Sequence, residues 1–355
     1  MDRSNIYVAY TGGTIGMKKR AKGFTNVKNQ FEKFIRGSKE YQVWNNNRNI
    51  DITFNEYKKL IDSSDIKPRN WNDILMDIRK NYDDYDGFVI VHGTDTLAYT
   101  SSMLSFLIKS LRKPIVLTGS QVSIFEPNSD AFNNLFNSFE LATGRYGVQE
   151  VCIVFNNLIL KGCRATKVSS IQFDGFMSPR QKSLGRIDNG IINIDKRYLW
   201  TSSRNTFRYA DIVLDKIEVV VVKLFPGIDS KFLMSIATDK NVKAIVVEAY
   251  GSGNGPASNE FKKALIELQN AEIVVVVLSQ PLHGNVVFGS YANSNAFKKF
   301  GAISGFDMTT EATVAKLYYL IKQGKSYSDI QSLMGYNMRG EINKRGKLPK
   351  IKITN

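Results

Sequence analysis

Histidine is almost missing from this chain. His92 and His283 are the only two in 355 residues. A histidine-rich zinc centre or a facial-triad iron site needs more imidazoles than that, and a Ser-His-Asp triad would have to use one of the two. Cysteine is as scarce. Cys152 and Cys163 form no CxxC pair, which excludes a disulfide framework and fits a reducing compartment, the cytoplasm. With 8 prolines and 26 glycines the chain is no low-complexity protein. No apolar run approaches the ~18 residues of a membrane span. The longest, Ile273 to Leu278, is the size of one strand. The opening MDRSNIYVAYTGG lacks the basic, apolar, small-residue order of a secretory signal.

What is present is ordinary globular composition, 43% hydrophobic and 23% charged, over a length that suggests two or three domains. The net charge is +15. Lysines outnumber arginines 32 to 16 and are scattered along the whole chain. Phosphate and base recognition leans on arginine forks, so the charge reads as lysine richness and disfavours nucleic acid as a partner. Residues 342–355 carry five Lys or Arg and no acid, a solvated basic tail.

Short β-rich runs alternate with helical stretches. Asn5–Tyr10, Gly87–Val91, Pro114–Leu117 and Val151–Phe155 read as strands, with a helix running from the second to about Leu111. Asp195 to Ala210 is polar, aromatic and without period, and reads as an interdomain connection. The rhythm resumes with strands Glu218–Leu224, Ala244–Glu248 and Glu272–Leu278, and helices at about 259–269, 311–323 and 327–334. The expectation is an α/β protein of two domains with mainly parallel sheets: 1–200, a linker at 201–216, 217–341, and the tail.

Ligands of open parallel sheets bind beyond the C-terminal strand ends. There this chain places Thr11-Gly12-Gly13-Thr14, then His92-Gly93-Thr94-Asp95-Thr96, then Thr118-Gly119-Ser120-Gln121. One such loop is no more than a turn; three on one sheet edge favour a site. None has the spacing of a P-loop or a dinucleotide fingerprint. A threonine serves as nucleophile when a base is near. Lys167, in Arg164-Ala165-Thr166-Lys167, would complete a Thr/Asp/Lys relay beside Thr94 and Asp95. Taken alone, it reads more readily as one surface lysine of many. His92 reads as structural and His283 as a loop residue.

Thr11 to Gly16 together with His92 to Thr96 resembles the bacterial L-asparaginase family. Asp62-Ser63-Ser64-Asp65, Tyr82 to Phe88, Gly253-Asn254 and Asp307 to Thr313 agree, over about Ile6 to Glu341, and the first two resemble the cytoplasmic type I branch. The resemblance implies a larger N-terminal flavodoxin- or Rossmann-like domain, a smaller C-terminal α/β domain, no metal or organic cofactor, and hydrolysis of L-asparagine to L-aspartate and ammonia. It implies Thr14 as nucleophile of an acyl-enzyme, with Thr94, Asp95 and Lys167 as the second catalytic group. It implies Asp62, Ser63, Ser64 and Asp95 as holders of the substrate's α-amino and α-carboxylate groups. Asn254 resembles a residue that reaches into a neighbouring subunit's site, which implies a homodimer or homotetramer. Alternatives are a glutaminase, a partner-dependent amidase, or an amino-acid-binding protein with weakened catalysis.

Three departures stand out. Phe24 occupies the position of a tyrosine that assists the threonine, with Thr25 beside it as a substitute hydroxyl. Glu248 and Pro281 replace an arginine and a cysteine of the site through which some type I enzymes are activated by asparagine. The basic tail extends past the matched region. An acid in place of an arginine repels a carboxylate. The rate is therefore expected to rise hyperbolically with asparagine; a sigmoidal curve in steady-state ammonia release would contradict this.

Overall fold

The computed structural model describes residues 3–21, 23–46, 48–200, 206–216, 218–289 and 295–343. Residues 344–355 of the basic tail, 201–205 of the linker and 217, the first of the expected second domain, lie outside them. The chain divides into two compact units: 1–178 with 182–210, and 179–181 with 211–355.

The first unit is built on eight strands. From one edge they run Ile191–Ile194, Gly185–Asp188, Leu158–Lys161, Val151–Phe155, Ile115–Thr118, Gly87–Val91, Ser4–Tyr10 and Ile50–Glu56. The last five in that order are mutually parallel, and the three nearest the first edge pair antiparallel. Side chains alternate across a strand. Ile6, Val8 and Tyr10 therefore share one face with Val89, Val91, Val116, Cys152 and Val154, and with Leu135 and Phe139 of the helix Ala131–Ala142 they form one core. Gly87–Val91 is buried at every residue, which is why it shows no polar alternation in sequence. Trp71, Ile74, Leu75 and Ile78 recur at helical spacing on Pro68–Asn81 and are buried together.

Two expectations shift. The helix after Gly87–Val91 is Leu97–Leu107, and Ile108–Ser110 leaves it as a strand, because Arg208–Tyr209 pairs with it and Ala210 N–H takes the Leu107 carbonyl at 2.7 Å. Residues 207–210 thus pack with the first unit, where Phe207 stacks on Tyr82 at 3.9 Å between ring centres. The structure adds the edge strand Ile50–Glu56, where Ile50 and Ile52 alternate with Asp51 and Thr53 as a half-buried strand should.

The second unit holds four parallel strands, Val219–Lys223, Ala244–Ala249, Val274–Ser279 and Ile303–Ser304. The helices Asn259–Asn270, Thr310–Lys322 and Tyr327–Met334 stand close to where the periodicity predicts. Its last segment is clipped by a buried ion pair. Lys316 Nζ donates to Glu341 Oε1 at 2.6 Å and to the carbonyls of Met334 and Tyr336. The carboxylate also accepts the N–H groups of Met338 and Arg339. Burial alone would raise the Glu341 carboxyl, but Lys316 and these N–H groups hold it below the usual 4.5. The stabilisation is full at neutral pH and is lost as pH falls below 4.5 through the lower, folded value. Glu341→Gln strands the buried ammonium and is expected to cost about 3–5 kcal/mol in urea unfolding at pH 7. A loss below about 1 kcal/mol would show that the clip contributes little.

Candidate active site

Thr14 begins a single 3-10 turn, Thr14–Gly16, separated by three residues from the strand Ser4–Tyr10. Gly13 precedes it at φ 100°, a backbone that favours glycine. A β-carbon on Gly13 would stand 2.4 Å from the nitrogen and α-carbon of Gly93, so the first and second loops touch main chain to main chain. Thr11 ties the same two loops, since its N–H and hydroxyl both donate to the Val91 carbonyl, at 3.0 and 2.9 Å.

Gly93 has a second close neighbour. A β-carbon there would lie 2.4 Å from Ser63 Oγ. Thr96 Oγ1 donates to the Ser63 carbonyl at 2.7 Å, and Ile61 N–H donates to the Thr11 carbonyl at 2.8 Å. The Asp62–Ser64 turn is thereby held against both motifs. Ser63 is buried, while Asp62 and Ser64 are exposed, with Ser64 N–H and Oγ both donating to Asp62 Oδ1.

Lys167 lies in the two-residue strand Thr166–Lys167, paired antiparallel with Phe176–Met177. Its Nζ donates to Thr94 Oγ1 at 2.8 Å and to Asp95 Oδ1 at 2.7 Å. Thr94 is 6% exposed; the Asp95 side chain is 60% exposed, so its carboxylate remains open to a ligand. Thr94, Asp95 and Lys167 therefore meet, and the glycine contacts bring Thr14 and Ser63 to the same cluster. Asn254 belongs to the second unit, in a loop closed by Tyr250 N–H on the Asn254 carbonyl at 3.0 Å. Its amide oxygen is buried and has no donor among the described residues.

Gln121 supports the site in a way the motif TGSQ did not reveal. Its Nε2 donates to the carbonyls of Ser169 and Gln172 at 3.0 and 2.9 Å, pinning the segment after Lys167. Asp130 in turn accepts the N–H groups of Gln121 and Val122. Only the fold reveals these links, which span 48 and 51 residues.

Phe24 sits on the hairpin formed by Met17–Arg20 and Gly23–Asn26, next in sequence to the Thr14 turn, and is 47% exposed. Thr25 follows it in the strand and so faces the other side of the hairpin; its hydroxyl does not stand where one on residue 24 would. In the second unit, Glu248 Oε1 accepts the Thr310 hydroxyl at 2.6 Å, and the Pro281 carbonyl accepts Arg180 Nη2 at 2.8 Å. Among the described residues no three His, Cys, Asp or Glu side chains gather as a metal site would require, and no helix is long and apolar enough to cross a membrane.

Residues 5–199 match the family model described as Asparaginase, N-terminal, and 218–334 match the Glutaminase/Asparaginase C-terminal domain. The chain belongs to the asparaginase family. It is 39% identical to L-asparaginase 1 of Escherichia coli K12, over 96% of this chain and 99% of that one. Its fold is similar to the crystal structure of L-asparaginase I from Vibrio cholerae, with a TM-score of 0.85 and 36% identity over 96% of this chain and 100% of that one. The thermostable L-asparaginase of Thermococcus kodakarensis follows at TM-score 0.81 and 30% identity, over 96% and 99%. The expected asparaginase architecture, with its larger α/β unit first, is the one the structure has.

The Gly13–Gly93 contact leaves no room for a side chain. Gly13→Ala is expected to destabilise the protein by about 2 kcal/mol or more, from the positive φ and the backbone collision together. Urea unfolding checks this; a change within about 0.5 kcal/mol would mean that the two loops part readily.

Proposed function

We infer that this chain is an enzyme that hydrolyses L-asparagine to L-aspartate and ammonia, with Thr14 as its nucleophile. The observation that carries the reading is the Lys167 ammonium seated between Thr94 and Asp95, in a loop cluster that the glycine contact joins to Thr14.

Thr14 Oγ1 attacks the side-chain amide carbon, the hydroxyl proton leaves with the departing ammonia, and an aspartyl ester remains on Thr14. Main-chain N–H groups stabilise the tetrahedral oxyanion, each worth ~3–4 kcal/mol in comparable sites. Thr94 N–H suits this work, having no acceptor among the described residues. Water then cleaves the ester, activated through Thr94 and Lys167. Lys167 donates to Thr94 in this structure, so for the threonine to lose a proton to the lysine this hydrogen bond has to reverse. Asp95 keeps an accessible carboxylate for the substrate's α-ammonium, and the Asp62–Ser64 turn supplies hydroxyl, carboxylate and N–H groups for the rest of the amino-acid head.

The working form in this reading is a homo-oligomer, dimer or tetramer, in which the unsatisfied Asn254 oxygen meets a donor from substrate or a second copy. A cytoplasmic setting belongs to the same reading, supported by two buried cysteines that form no disulfide. Phe24 favours one rival, an amino-acid-binding protein with weakened turnover.

Ammonia release from asparagine and from glutamine, wild type beside Thr14→Ala, separates these. The expected result is turnover of asparagine that falls by about a thousandfold or more in the variant. Retention of about a tenth of the rate would remove Thr14 from the mechanism. A wild type that asparagine stabilises against heat without releasing ammonia would favour the binding protein.

A further inference from the structure

We propose that His92 is a positioning residue: its Nδ1–H holds the Gly93 carbonyl and so aims the Thr94 N–H, while Thr100 and Trp71 lock the ring in that one tautomer. The proposal rests on the reading of Thr94 given above.

The two end groups fix the outer bonds of the chain, and a neutral ring fixes the one between them. The Gly93 carbonyl only accepts, so His92 Nδ1, 2.7 Å away, carries a proton. At the other end the Trp71 indole N–H only donates, and it reaches Thr100 Oγ1 at 3.1 Å. The Thr100 hydroxyl proton is then free for His92 Nε2, 3.0 Å away. Trp71 to Thr100 to His92 to Gly93 is thus one unidirectional run, complete with a neutral ring. A charged imidazolium would set two donors on the Thr100 oxygen. All three side chains are buried, with Thr100 fully so. Burial pushes the ring down to about 4, the bond to Gly93 opposing it, which agrees with the neutral form.

The consequence travels through one peptide plane. The Gly93 carbonyl and the Thr94 N–H belong to the same rigid unit and point in opposite directions. An imidazole that fixes the oxygen therefore fixes the N–H, which points away from the ring. The same short main chain carries other loops. His92 N–H donates to the Thr118 carbonyl at 2.8 Å, and a β-carbon on Gly119 would lie 2.4 Å from the His92 carbonyl. With Gly13 and Ser63 already against Gly93, three loops take their placement from this dipeptide. A buried polar run that is fully satisfied specifies one arrangement, which is what an oxyanion donor needs.

The test uses the whole enzyme. With two histidines in the chain, nitrogen-15-edited spectra of the rings at neutral pH contain two ring systems. The expected His92 signal is a neutral ring protonated at Nδ1, and Thr100→Val is expected to mix the tautomers. In kinetics, His92→Leu is expected to lower kcat by about tenfold with KM within about twofold. His92→Asn, whose amide N–H occupies the place of Nδ1–H, is expected to recover most of the loss. The proposal is overturned by a ring protonated at Nε2. It is overturned equally by variants all within about twofold of wild-type kcat, by a loss carried in KM, or by an Asn variant as impaired as Leu. If His92→Leu does not fold, Thr100→Val carries both arms. A wild type inactive on asparagine would defeat the hydrolase reading, while the ring spectra would still decide the tautomer.

Discussion

The arrangement of the site depends on a contact without side chains. Gly13 meets Gly93 at a distance that excludes a β-carbon, and the other side of Gly93 is filled by the Ser63 side chain. Parallel strands end on one edge of the sheet, but that topology alone leaves their loops several ångströms apart. Bare main chain closes the distance. It places a threonine from the first strand's turn beside a Thr-Asp pair from the next strand in the sheet, with a serine turn on the third side.

Around that contact the structure separates partly open side chains from buried ones. Asp95 and Lys167 remain partly open. His92, Thr100 and Trp71 are buried, and so is most of Asp130. His92 and Asp130 are hydrogen-bonded to main-chain atoms of the loops, at Gly93 and at Gln121 and Val122, and Thr100 and Trp71 hold the His92 ring. Buried polar groups of this kind are costly unless satisfied. Where every partner is present they leave a loop one conformation.

Much of the fold was legible in the sequence. Gly87–Val91 and Val151–Phe155 are buried on both faces, so their apolar runs stand out, and the end of the first marks a loop of the candidate site. The edge strand Ile50–Glu56 was harder to see because a half-exposed strand carries polar residues between its apolar ones. The helix end at Leu107 was invisible locally, since the strand that replaces it is set by a partner about a hundred residues on, at Arg208. Within the site, Lys167 looked like any other lysine; only the fold brings it to Thr94, 73 residues away. Gln121 and Asp130 escaped for the same reason. Their work is long-range hydrogen bonding to main chain, which leaves no spacing in sequence.

The account stands on an ester formed at Thr14. Acid quenching of the enzyme during turnover of asparagine, followed by digestion and mass spectrometry, tests it directly. The account predicts a transient aspartyl mass increment on the peptide that contains Thr14. An increment on the peptide containing Thr94 instead, or none while ammonia is being released, would contradict it.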